Sequence, residues 1–229
     1  MQITRLTVLL AAGPVLVASV ALAATEAVAV PASCASMGGA ADDGVCRIAV
    51  TDAAYQMDIR YPLDYPDEQA IADYVNQARA GFVTLAQTPG SLNLPYEMDV
   101  TAESFRSRQT QSVVLTLFQN VGSAHPTTWY KSFTYDTAGG SPVSFDQLFA
   151  PGTQPLKTIF PMVAERLEQQ TGLAGAVSTG DGMDPAHYQN FAITDDSLIF
   201  FFGRAEMLPS YAGESSVALP RDALPPLQV

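Results

Sequence analysis

The chain has little positive charge. Eleven Lys and Arg residues stand against 23 Asp and Glu residues, the formal net charge is −12, and Lys131 and Lys157 are the two lysines. This balance excludes nucleic acid as a partner and disfavours charge-driven binding to anionic lipid. A basic protein partner fits the charge, although solubility explains it more simply.

The chain also has few metal-ligating side chains. Two cysteines, Cys34 and Cys46, and two histidines, His125 and His187, do not form metal-ligand spacing, so we expect neither a metal nor a cofactor. In an exported chain, cysteines this close predict a disulfide that stabilises the fold by about 3 kcal/mol. A lipid-modified Cys34 is the alternative, which Pro31 disfavours because a lipoprotein signal has Leu, Val or Ile there.

One hydrophobic run is long enough to cross a membrane. It covers Leu6–Ala24, follows Arg5, and is accompanied by small-x-small cleavage patterns that end at Ala23 and Ala29. We predict a signal peptide over residues 1–23, with residue 29 as the latest cleavage site; an uncleaved anchor is the alternative. The mature protein would then be secreted, extracellular or associated with the cell wall, with no membrane span.

The mature chain is predicted to form a single α+β domain. Residues 24–45 are rich in Ala, Gly and Ser and are predicted to be irregular and held by the disulfide, and residues 46–229 form the domain. Alternating or continuous apolar residues predict strands at Arg47–Tyr61, Tyr96–Val100, Ser112–Phe118, Trp129–Tyr135, Leu198–Phe202 and Ser216–Leu219.

Two helices are predicted between these strands. One begins at Pro66 and Asp67, and the other lies near Pro155–Thr171, with Gly172 as its C-terminal cap. Pro161 should kink the second helix or mark its true start. This element order predicts a mixed or antiparallel sheet with two main helices packed on it.

The sequence lacks the Gly-x-Ser-x-Gly pattern that marks the nucleophile of α/β-hydrolases, so that fold is not favoured. His125 is the better candidate base, because the turn that contains it could place it beside Ser123. The alternative is that His125 packs at a strand entry with a backbone hydrogen bond. His187 is interpreted as a surface histidine on a turn capped by Asp184, and Asp195 as a turn residue with a catalytic acid as the alternative.

Five segments resemble a known family. They are Tyr61–Asp67, Gly122–Lys131, Asp184–Phe191, Thr194–Phe200 and Met207–Pro209. They are similar to the mycobacterial secreted immunogenic antigen family, whose wider group includes the extracytoplasmic domain of the anti-sigma factor RsiV. Because the segments span nearly all of the mature chain in order, the resemblance covers the whole domain.

The resemblance implies a β-grasp-like α+β fold and an exported protein. The RsiV relative recognises lysozyme, which implies binding of an envelope or host partner, with a basic, lysozyme-like protein as the candidate. A cell-envelope member that this chain resembles is described as a carboxylesterase, which implies hydrolysis of small acyl esters, here through Ser123 and His125. The best-known antigen lacks a histidine at the position of His187, so an esterase activity general to the family could not use it.

Overall fold

The computed structural model describes residues 32–123 and 125–229. The predicted signal peptide lies outside these residues. The described part of the chain holds the α-helices α1 (Ala32–Ser36), α2 (Glu68–Ala86), α3 (Leu156–Thr171) and α4 (Thr179–Gly182). Its strands are β1 (Ala40–Asp42), β2 (Val45–Thr51), β3 (Tyr55–Pro62), β4 (Tyr96–Arg106), β5 (Thr110–Asn120), β6 (Thr127–Asp136), β7 (Ser141–Pro142), β8 (Phe191–Ile193), β9 (Ser197–Phe202) and β10 (Ser215–Pro220).

Strands β1 to β7 form an open mixed sheet in their sequence order. Neighbours are antiparallel except β3 and β4, which are parallel and joined by α2. The apolar stripe of α2, with Ile71, Val75 and Phe82, is buried in one core with β3 and β4 residues such as Ile59 and Met98. The predicted β-grasp-like α+β class and the helix that begins after Pro66 are therefore confirmed.

The first predicted strand is in fact a hairpin. Residues 52–54 form a turn between β2 and β3, because the Asp52 carboxylate accepts a hydrogen bond from the Ala54 N–H at 2.8 Å. Asp in this position favours a turn over a continuous strand. The prediction of one strand over Arg47–Tyr61 is therefore wrong at these three residues.

The disulfide between Cys34 and Cys46 is present, as predicted, with 5.8 Å between the two Cα atoms. Both cysteines are fully buried, and a Cβ added to Gly39 would lie 2.7 Å from the Cys34 sulfur. The segment 24–45 was predicted to be irregular, but from residue 32 it contains α1 and β1. The buried disulfide links α1 to β2 of the large sheet, whereas β1 joins that sheet by pairing with β2.

The C-terminal half of the chain forms a second, smaller sheet. Its antiparallel order is β10-β9-β8, and α3 packs beside β10 in its own apolar core. Strand β9 is central, as its continuous apolar run predicts, and Gly172 ends α3 at a φ of 72°. Pro161 lies inside α3, and no described helix is both long and apolar enough to cross a membrane. The sequence did not predict that the second helix packs on a separate sheet.

Side-chain hydroxyls join the two sheets. The Ser132 hydroxyl accepts a hydrogen bond from the Phe191 N–H at 2.9 Å, and the Ser112 hydroxyl accepts one from the Ile193 N–H at 3.3 Å. Thr134 donates to the Phe191 carbonyl or to Ser112 at 3.3 and 3.0 Å. These N–H groups lie on the outer edge of β8, where no further strand pairs with them in the described residues. Hydroxyl groups of the large sheet therefore accept the hydrogen bonds that a neighbouring strand would otherwise accept.

Replacing Ser132 with Ala should lower the free energy of unfolding by about 1–3 kcal/mol, because it leaves the buried Phe191 N–H without an acceptor. Urea unfolding of the purified domain measures this difference. Ser141→Ala is the matched control, since Ser141 is exposed on β7, and we expect a change within about 0.5 kcal/mol. Equal losses in the two variants would contradict a role for the Ser132 hydroxyl.

Candidate functional site

His187 is held on a short 3-10 turn, Pro185–Tyr188, that comes just before β8. The Asp184 carboxylate caps this turn by accepting the Ala186 N–H at 2.9 Å, as the sequence predicts. Tyr188 is fully buried and donates to the Gly182 carbonyl at 2.8 Å. The turn is therefore fixed at both ends, and the His187 side chain is 25% exposed rather than free on the surface.

Glu206 pairs with His187. Its Oε1 atom lies 3.7 Å from His187 Nδ1, and the Glu206 side chain is 24% exposed. Its Oε2 atom accepts a hydrogen bond from the Gly203 N–H at 2.6 Å. Burial raises the pKa of Glu206 above its ordinary value, against the opposing effects of the Gly203 N–H and His187. At 3.7 Å the contact is an ion-pair distance rather than a hydrogen bond, and it lies on the Nδ1 side of the ring, opposite Nε2.

The loop that carries Glu206 is a strained turn. Ala205 has a φ of +63°, which costs an L-residue about 1–2 kcal/mol, and the Glu206 N–H donates to the Gly203 carbonyl at 3.2 Å. Arg204 fastens the loop to the stretch after His125 by donating to the Pro126 carbonyl at 3.1 Å. This turn directs the Glu206 carboxylate back to the Gly203 N–H and toward His187.

The predicted site residues Ser123 and His125 lie on an exposed corner between β5 and β6. The Ser123 hydroxyl donates its proton to the backbone carbonyl of His125 at 2.8 Å, not to the imidazole. Gly122 has a φ of +70°, and a Cβ there would lie 2.8 Å from the Leu92 carbonyl oxygen. The two residues are thus in contact through the Ser123 hydroxyl and the His125 backbone carbonyl.

Other sequence candidates take structural positions. Asp195 accepts the Arg108 N–H at 2.9 Å and so ties the turn between β4 and β5 to the turn before β9. Two partial matches to the Gly-x-Ser-x-Gly pattern, at 139–141 and 213–215, run into β7 and β10 rather than into a helix. Within residues 32–123 and 125–229, no group of three or more His, Cys, Asp or Glu side chains could hold a metal ion.

The sequence did not reveal Glu206. It lies 19 positions after His187, beyond two strands, and its only signal is a carboxylate directly before the apolar residues Met207 and Leu208. Such a position can be recognised as partly buried, but its partner depends on the register between β8 and β9 and on the turn that follows β9.

Comparisons with known proteins agree with this architecture. A family model described as "Protein of unknown function (DUF3298)" matches residues 146–222, which include α3 and the small sheet. A DUF3298 family protein from Pseudomonas aeruginosa superposes with a TM-score of 0.52 at 13% identity, over 80% of this chain and 94% of that chain. A DUF3298 member from Bacteroides fragilis gives a TM-score of 0.50 at 12% identity, over 78% and 90%. These likenesses establish a shared fold.

The sequence comparisons reach further. The Mycobacterium tuberculosis protein named Esterase Rv3036c is 48% identical over 96% of this chain and 99% of its own length. The protein named Immunogenic protein MPT64, from the same species, is 39% identical over 83% of this chain and 86% of its own length.

The fold defines a single-domain α+β protein with a mixed seven-stranded sheet and a small sheet of the DUF3298 type. Within that class, the chain belongs to the mycobacterial immunogenic antigen family that includes MPT64 and Esterase Rv3036c.

Glu206 should make stability depend on pH. Its carboxyl loses a proton near pH 4.3 in the unfolded chain but at higher pH in the folded one. Between the two pKa values the native state binds more protons, so the free energy of unfolding falls as the pH rises. Urea unfolding from pH 4 to 7 should show that wild type loses stability relative to Glu206→Gln across this window. If the free energy of unfolding of wild type minus that of Glu206→Gln stays constant or increases with pH, the raised pKa is contradicted.

Proposed function

We propose that this protein hydrolyses short-chain carboxylic esters, with His187 as the general base and Glu206 as the residue that orients it. The pair itself carries the proposal, because the Glu206 carboxylate lies 3.7 Å from Nδ1 of a partly buried imidazole, and no described residue forms a hydrogen bond with its Nε2. The 48% identity over nearly the whole chain to a protein named an esterase supports it.

The mechanism is base-catalysed addition of water. His187 Nε2 accepts a proton from water while the water oxygen bonds to the ester carbonyl carbon, which leaves a negative charge on the carbonyl oxygen. The C–O bond to the alkoxide then breaks, and the alkoxide takes the proton from His187 and leaves as the alcohol. Glu206, whose Oε1 atom lies 3.7 Å from Nδ1, stabilises the imidazolium between these steps.

Arg204 is the proposed stabiliser of the carbonyl oxygen. It lies on the same loop as Glu206, and its Nε and Nη1 atoms donate to the Ser210 and Pro126 carbonyls at 2.9 and 3.1 Å. No described residue accepts from its Nη2 atom, so that group is available to a developing oxyanion.

The competing assignment uses Ser123 as nucleophile and His125 as base. It requires the Ser123 hydroxyl to leave the His125 carbonyl and turn to the imidazole. The assignment to His187 instead restricts the activity to those family members that have a histidine at this position.

Matched substitutions of the two histidines separate the assignments. His187→Gln should lower kcat/KM for p-nitrophenyl acetate by about 10²- to 10⁴-fold, the usual worth of a general base. Glu206→Gln should lower it by about tenfold or more, whereas His125→Gln, Ser123→Ala and the exposed Glu214→Gln should retain it. Initial rates are compared for proteins whose unfolding curves match. Loss of activity in the His125 or Ser123 variant, with His187→Gln active, would overturn the assignment.

Export is the second element of the proposal. The signal-peptide pattern at the N-terminus and the relatives named immunogenic proteins support a secreted or cell-wall-associated protein. Fractionation of cells that express the full chain, with N-terminal sequencing of the mature protein, tests this proposal. A protein that retains residues 1–23 in the cytoplasm would contradict it.

A basic protein partner is the second candidate function. Three carboxylates, from Asp58, Glu97 and Asp99, crowd the outer face of β3 and β4, opposite α2. Burial, and then the charges of Asp58 and Glu97, raise the pKa of Asp99, while Arg60 opposes this effect. A positively charged protein surface would relieve the repulsion between these carboxylates.

Binding to lysozyme tests this candidate. If the face is used, Glu97→Gln with Asp99→Asn should weaken binding and reduce its dependence on salt, whereas Asp73→Asn on α2 should not. Calorimetric titration at 50 and 200 mM NaCl measures both effects. Absence of saturable binding, or equal weakening by the α2 variant, would remove this candidate.

A further inference from the structure

A cleft of about 360 Å³ lies between strand β6 and the start of α2 on one side and residues 142–147 and 189–191 on the other. It is distinct from the pair of His187 and Glu206, neither of which lines it. Its walls combine aromatic and aliphatic side chains with one ammonium group, one carboxylate and two amides. The residues that carry the argument are Asp67, Lys131, Phe133, Gln147 and Gln189.

Lys131 contributes the ammonium group. Its Nζ atom lies 5.7 Å from the centroid of the Tyr74 ring and 5.4 Å from that of Phe133, so two cation–π contacts hold it in place. No carboxylate of the described residues lies within ion-pair distance of it. The ring contacts fix the lysine but leave its three N–H donors without an anionic acceptor.

Asp67 contributes the carboxylate. It occupies the N-cap position of α2, yet its side chain makes no capping hydrogen bond. It lines the cleft together with the buried Tyr65, and its charge, after burial, raises the pKa of that phenol. Asp67 and Lys131 thus line one cleft without pairing with each other, within the part of the chain that the structure describes.

Gln147 and Gln189 each form hydrogen bonds through one end of the side-chain amide. Gln147 Oε1 accepts the Ser144 N–H and hydroxyl, both at 2.9 Å, which leaves its NH₂ group as a donor. Gln189 Nε2 donates to the Pro185 carbonyl at 2.9 Å, which leaves its Oε1 atom as an acceptor. The cleft therefore offers an additional donor and an additional acceptor to a ligand.

We propose that this cleft binds a small zwitterionic ligand of the amino-acid or dipeptide class. The ligand carboxylate bonds to Lys131, its ammonium group bonds to Asp67, and its apolar part lies against Phe133. The volume lies at the lower end of the range typical of small-molecule sites, which suits a dipeptide. A simple anion fits less well, because the net charge of −12 and Asp67 itself repel it.

The chain carries its own reporter for this cleft. Trp129 is its one tryptophan, and its Nε1–H donates to the Tyr74 hydroxyl at 3.0 Å. Because Lys131 lies over the same Tyr74 ring, a ligand that bonds to Lys131 should change the Trp129 fluorescence. Isothermal calorimetry gives a second readout that does not depend on this aromatic cluster, and neither readout depends on ester hydrolysis.

Three forms of one dipeptide test the proposal: Leu-Ala with free termini, its C-terminal amide, and its N-acetyl derivative. Removing either charge should weaken binding by about tenfold or more, since each removes a charge-assisted contact. Equal binding of the three forms, or no binding of the free dipeptide at 10 mM, would overturn the proposal.

Two substitutions assign the contacts. Lys131→Met, which keeps the apolar stem on the rings, should abolish the preference for the free dipeptide over its C-terminal amide. Asp67→Asn should abolish the preference for the free dipeptide over its N-acetyl derivative. The controls are Lys157→Met, which lines a different cavity, and Asp73→Asn on the same helix as Asp67. Unchanged preferences in the Lys131 and Asp67 variants, or equal losses in the controls, would contradict the proposed contacts.

Discussion

The outer edge of strand β8 is the constraint on which the rest of the structure depends. An edge strand presents backbone N–H groups that must be paired when they are buried. Here the Phe191 and Ile193 N–H groups point at the face of the large sheet, and the hydroxyls of Ser132 and Ser112 accept them. This contact explains why two serines lie in strand positions that would otherwise favour apolar residues.

Docking β8 in this way also positions the candidate sites. The chain enters β8 from the turn that carries His187 and leaves β9 at Gly203, whose N–H holds Glu206. The same contact brings Gln189 to the wall of the cleft that contains Lys131. The pair of His187 and Glu206 and the proposed ligand cleft therefore both border the small sheet that this hydroxyl-mediated contact docks onto the large one.

Local patterns predicted much of the fold but little of the site. Helix α2, the cap at Gly172 and the buried strand β9 follow from periodicity and turn chemistry within a few residues. The pairing of Glu206 with His187 could not be predicted, because it depends on the register between β8 and β9 and on the turn at Gly203. Ser123 and His125 are neighbours in the sequence, but the hydroxyl bonds to the backbone, which spacing alone does not reveal.

Native-state hydrogen exchange at the Phe191 and Ile193 amides tests the central contact most directly. Both amides should exchange only through global unfolding, with the slow rates of the buried β5 amides, because their hydroxyl acceptors lie in the core. In Ser132→Ala, the Phe191 amide should exchange faster than these core amides, whereas Ser141→Ala should leave it unchanged. Fast exchange of both amides in the wild-type protein would contradict the docking of β8 on the large sheet.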